Sequence, residues 1–213
     1  MSNPDNKKRL FSRQEVARFG IEAVLIVFSI LLALGVNEWR ASYKLNKQAH
    51  AALENIQKEL ENNRLSLLGV MDYHAEVSEK LTTYISNDSL QQTLRGKSLI
   101  EAMPLVMKQG LQAPRLQTAA WQAAQKTSIS SRFNYETMYL LASTYELQQN
   151  GVSNTWKQIA LSILNESALD PARLPIALAL LQAQLKELHA QERYLHKIIV
   201  DVQSALSKKE KQR

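Results

Sequence analysis

Apolar side chains recur in steps of three and four along two long stretches of the chain. The first runs Leu45, Ala49, Leu53, Ile56, Leu60 and, beyond Arg64, Leu67, Met71, His74, Val77, Leu81 and Ile85. The second runs Leu174, Leu178, Leu181, Leu185, Leu188, Glu192, Leu195, Ile199, Val202 and Leu206, with Glu192 its one polar member. Such spacing puts a single stripe along one side of a helix, as in a coiled coil or a long bundle helix. No Pro or Gly interrupts residues 36–68, so one helix is expected to run to about Ile85, with Gly69 its weak point. Asn87-Asp88-Ser89 then reads as a stop and a new N-cap. The second helix is expected to open with Asp170 as N-cap and Pro171 in the first helical position, and to end near residue 208. At 1.5 Å per residue the two stretches measure about 69 Å and 57 Å, close enough to pair along their seams. Antiparallel pairing would carry the basic tail from Lys208 to Arg213 back toward the start of the first seam.

The stretch between them is less regular. Pro104, Pro114, Gly96 and Gly110 make 96–114 a loop or broken helix, followed by short helices at about 115–126, 134–149 (capped by Asn134) and 152–167. The pattern as a whole predicts an all-α bundle of long and short helices. The middle region also holds Trp121, Phe133, Tyr135, Tyr139, Tyr145 and Trp156. These aromatics can plug the end of a bundle as core or wall a pocket for an apolar ligand. Core is the favoured assignment, carried by Trp121, Tyr135, Tyr145 and Trp156, with Trp121 the most deeply buried.

Residues 19–39 follow a different pattern. Ala23 to Asn37 is an uncharged run with hardly any polar face, and extending it from Phe19 to Trp39 gives 21 residues, about 31 Å of helix. That length spans a bilayer core if Glu22 and Glu38 reach the headgroups. Trp39 and Arg40 have the chemistry of an interfacial anchor. Lys7, Lys8, Arg9, Arg13 and Arg18 precede the run, against Arg40, Lys44 and Lys47 after it, and this bias favours an amino terminus inside. Three segments follow: 1–18, basic and cytoplasmic; 19–39, transmembrane; 40–213, a helical extramembrane domain. A cleaved signal peptide, with small residues at Ala33-Leu34-Gly35, and a buried core helix are the competing readings. The helical pattern runs through that cleavage site without a break, which favours an uncleaved anchor. Glu22, Ile26, Ser29, Ala33 and Asn37 share one helix face. The Ser29/Ala33 pair would let a second helix approach, while Glu22 and Asn37 sit either in that seam or in the two interfaces.

The string from Glu22 through Ser29 and Ala33-Leu34 to Asn37-Glu38-Trp39 resembles the opening of a family of uncharacterised bacterial single-pass membrane proteins. A second likeness lies in Thr118-Ala-Ala-Trp121-Gln-Ala-Ala124, followed by Tyr135, Leu141 and Tyr145. Ser29 stands where that family often has Gly, and Thr127-Ser128 where it commonly has Ser-Gly. The resemblance implies an uncleaved inner-membrane anchor and carries no established activity.

Composition narrows the remaining options. The 213 residues include 6 Gly, 5 Pro and no Cys, which argues against many-stranded folds and excludes thiol catalysis and Cys-based metal sites. The net charge of +6 invites a nucleic-acid partner, but the basic residues alternate with acids, as in Lys58-Glu59-Leu60-Glu61, and form no stripe. No phosphate-binding loop, metalloprotease or nucleophile motif is present. His189 and His196 lie seven apart on one helix, about 10 Å, too far to share a metal. The expectation is therefore a protein without catalytic residues, cofactor or metal, whose partners are the lipid bilayer and either a second copy or a membrane complex. A sensory domain with a small ligand among the middle aromatics is the alternative.

Overall fold

The computed structural model describes the backbone of residues 13–210 and the side chains of residues 18–208. The basic residues Lys7, Lys8 and Arg9, and the tail beyond Lys208 except for the backbone of its first two residues, lie outside that range. The described residues are helical with short connections and include no strand. Those up to Gln48 form one compact unit and those from Ala49 onward a second.

Helix α1 (Arg13–Ser86) is continuous through Gly69. It is followed by α2 (Asp88–Leu94), α3 (Leu99–Val106), α4 (Ala119–Gln125), α5 (Tyr135–Leu147), α6 (Asn154–Ile163) and α7 (Leu174–Glu210). The local chemistry explains most of these ends. Asn87 caps α2 by accepting the amide N–H groups of Ser89 and Leu90, and Asn134 caps α5 through Thr137. Ser98 and Glu101 form a reciprocal capping box on α3. Asp170 caps a single 3-10 turn, Pro171–Arg173, and α7 proper begins at Leu174. The segment 96–114 is partly helical, because the capping box starts α3 despite Pro104 inside it. Between α5 and α6 the backbone stays helical through a wider π turn, Gln148–Ser153. The break expected near Gly151 is therefore a change of pitch rather than a loop.

In the second unit the two seams form the core. All ten seam positions of α7 are buried, and those of α1 are buried from Ile56 to Leu81 apart from the half-exposed position of Arg64. Ile85 is 37% exposed, so the seam of α1 ends one turn earlier than its pattern suggests. Hydrogen bonds Gln203–Glu61, His74–Glu192 and Gln182–Thr82 fix an antiparallel register. At the first of these, Glu61 also accepts a two-pronged bond from Arg64 at 2.7 and 2.8 Å. Arg64, then Gln203, lowers the Glu61 carboxyl to about 2. Each fully buried Leu or Ile in this core contributes about 1.5–3 kcal/mol, and Leu60, Leu67, Leu81, Leu188, Leu195 and Ile199 are all at 0–1% exposure. The middle helices α3 to α6 pack on this pair and complete the bundle.

Candidate functional site

Two features exceed what a plain helical bundle requires. The first is the apolar part of α1. It is long and apolar enough to cross a membrane, and none of its most apolar window is buried. Val24, Leu25, Ile26, Val27 and Phe28 are each more than half exposed, and as five successive residues they point in every direction around the helix. Glu22, Ser29, Ala33 and Asn37 are exposed on it, and so are Trp39 (70%) and Arg40. Ser29 donates its hydroxyl to the Leu25 carbonyl at 2.8 Å, so this polar group is satisfied within the helix and asks nothing of its surroundings. A helix that is apolar all round is stable only when lipid or protein covers it.

The second feature is a ladder of polar side chains on α1 that holds the irregular segment from Met107 to Thr118. A chain segment without regular structure brings backbone N–H and C=O groups that need partners when covered. Here α1 supplies them. Tyr73 donates to the Gly110 carbonyl at 3.0 Å and accepts from the Gln109 N–H at 3.3 Å. Burial raises its phenol above the usual range. Ser66 accepts from the Arg115 N–H at 2.6 Å. Asn63, fully buried, clamps Gln117 from both sides, accepting its N–H at 2.7 Å and donating to its carbonyl at 2.8 Å. Gln148, at the π turn, donates to the same carbonyl at 3.0 Å and accepts from Asn63 at 2.9 Å.

At one end of the ladder, the Glu59 carboxylate accepts the N–H groups of Ala120 at 2.8 Å and Trp121 at 3.3 Å, and the Tyr145 hydroxyl at 2.7 Å. Thr118 makes no side-chain cap bond, so Glu59 caps α4 from another helix. A negative group there also suits the helix dipole. Burial, and then its bond to the Glu59 carboxylate, raises the Tyr145 phenol far above its ordinary value. Its ring stacks on Trp121 at 5.5 Å and 4°.

Near the other end, His74 and Glu192 meet inside the core, at 1% and 0% exposure, with Nδ1 at 2.9 and 3.0 Å from the two carboxylate oxygens. His74 Nε2 lies 2.7 Å from the Gln112 carbonyl, which can only accept. That nitrogen therefore carries a proton, and a second proton is shared between Nδ1 and Glu192. Trp156 Nε1 donates to the same Gln112 carbonyl at 3.1 Å.

These contacts sort the aromatics. Trp121 and Tyr145 are buried at 4%, less completely than Leu60 or Leu81, and they fill space against each other. Trp156 is half-buried and holds the segment. Tyr135 is not core: it is 85% exposed, at the first position of α5, and it stacks on Tyr139, which is also exposed, at 6.5 Å. The reason is helical phase, since the buried face of α5 passes through Thr137, Leu141, Thr144 and Tyr145. The ladder has no counterpart in the sequence pattern, where Glu59, Asn63 and Ser66 are only polar residues beside a seam. Nothing local links Glu59 to a helix end so far along the chain. The His74–Glu192 pair does have a signal, one polar residue in each seam.

Among the described residues, no group of three His, Asp or Glu is placed to hold a metal ion. His189 instead bonds the Met71 carbonyl through Nδ1 at 3.1 Å. No protein-family model matches the chain, and neither a curated protein nor a solved structure does so.

Proposed function

We propose that this chain is a membrane-anchored, non-catalytic interaction module. In this reading residues 19–39 cross the bacterial inner membrane, the amino terminus is cytoplasmic, and the helical domain works in the periplasm as a subunit of a membrane complex. The observation that carries the reading is the apolar stretch of α1, exposed on every side over the length of a bilayer core. The domain itself supports a structural role: several of its buried polar groups hold backbone, from Glu59 on α4 to His74 on Gln112. Self-association through the Ser29/Ala33 face, or a partner helix on it, gives the anchor a specific role beyond tethering.

Alkaline carbonate extraction of membranes tests the anchor. The full chain is expected in the pellet, and a variant with Leu31→Arg and Leu32→Arg in the supernatant. Recovery of the wild-type chain in the supernatant would overturn the proposal, as would an intact mass showing a mature chain that begins near Val36.

A further inference from the structure

A cleft of about 570 Å³ opens where the end of α1, helix α2 and the start of α7 meet. Buried Leu94, Leu174 and Leu178 contribute to its lining. Pro171 and Pro175 also line it and offer no backbone N–H. The charged groups lining it, Asp88 and Arg95, are exposed at its rim, as is Gln92. Apolar side chains beside several polar ones, within a volume of roughly 300–1,000 Å³, can hold a small molecule that is itself part apolar and part polar.

The rim groups differ in how they are used. Gln91 spends its amide on the Ile85 carbonyl at 2.7 Å, closing the end of α1. Among the described residues, no side-chain hydrogen bond or ion pair engages Arg95, Gln92 or the Tyr84 hydroxyl. Arg95 presents a planar fork of donors that matches a carboxylate in two-point contact. Asp88 stands seven residues earlier at the other end of α2, about 10 Å along its axis. A second negative group on a ligand lying across the cleft would meet Asp88 and be repelled.

We infer that this cleft binds an organic monocarboxylate with an apolar body. The carboxylate lies on Arg95 with an N–H from Gln92, and the body lies on Leu94, Leu174 and Leu178. This site is separate from the middle aromatics and does not depend on the membrane reading.

The test is calorimetric titration of the full-length protein in mild detergent with 4-phenylbutyrate, with the detergent solution alone as blank. Saturable one-to-one binding is expected. Arg95→Gln should weaken it at least about tenfold, the loss of one charge-assisted contact, with helical circular dichroism unchanged because the residue is exposed. The neutral alcohol 4-phenylbutan-1-ol should bind weaker than the acid by a similar factor. Phenylsuccinate should bind weaker than phenylbutyrate, and Asp88→Asn should narrow that gap. No saturable heat above the blank, or equal affinity in Arg95→Gln, would overturn the site. An unchanged phenylsuccinate gap in Asp88→Asn would overturn the preference for a single carboxylate.

Discussion

Replacing Tyr145 with Phe removes one oxygen atom from the core and leaves its stacked ring in place. The hydroxyl donates to Glu59 at 2.7 Å, and both residues are at most 5% exposed. A hydrogen bond to a charged group contributes about 1.5–3 kcal/mol, so Tyr145→Phe should destabilise the domain by that amount. For a chain of this size this lowers the melting temperature by about 3–12 °C. Glu59→Ala removes the acceptor of three bonds and leaves the N–H groups of Ala120 and Trp121 without it. It should cost about 3–5 kcal/mol, the range for breaking a buried charged network. Because the two residues share a bond, the double variant should lose less than the sum, by about 1–3 kcal/mol. The phenol adds a second readout. Its affinity for the proton is raised on folding, so its contribution is complete below the ordinary value of 10.0. Above that pH the unfolded chain ionises while the folded phenol stays protonated, and stability falls by about 1.4 kcal/mol per pH unit. The difference in slope between wild type and Tyr145→Phe isolates this group. Urea unfolding of the full chain in detergent, followed by circular dichroism at pH 8 and pH 11, measures all of it. A Tyr145→Phe cost within about 0.5 kcal/mol, or strict additivity with Glu59→Ala, would refute the cap assigned to Glu59.

Two further predictions concern the long helices and one the segment between them. His74→Leu alone should cost about 3–5 kcal/mol, since it strands the Glu192 carboxylate in the core, whereas His74→Leu with Glu192→Leu should be neutral or stabilising; urea unfolding distinguishes the two. Gly69 is exposed in mid-helix, with open space where a Cβ would lie, so Gly69→Ala should stabilise by about 1 kcal/mol. Gly110 has a φ of +68°, so Gly110→Ala should destabilise by about 1–2 kcal/mol despite equal space; paired thermal melts check both signs.

Helical periodicity carries much of the architecture, because the seams of α1 and α7 repeat over many turns and each step reinforces the last. Caps are legible for a similar reason: Asn87, Asn134 and Asp170 act on amides two or three residues away. What periodicity misses is long-range. Glu59 reaches α4 some sixty residues on, and Asn63 reaches both Gln117 and Gln148, so neither role has a local pattern. Residue type alone sends Tyr135 to the core, yet its position at the first turn of α5 decides its exposure. Helix α7 starts at Leu174, later than its cap signal, because Asp170 and Pro171 suit the first turn of either kind of helix and the chain uses them for a 3-10 turn.

The absence of native cysteine makes single-cysteine labelling unambiguous. Cysteine placed singly at Leu31 or Ser42 in living cells, and challenged with a membrane-impermeant maleimide, tests the anchor and its orientation together. A spanning helix with its amino terminus inside leaves position 42 open to labelling in cells with a permeabilised outer membrane, and position 31 unlabelled. Labelling at 31, or labelling at 42 only after the inner membrane is disrupted, would contradict it.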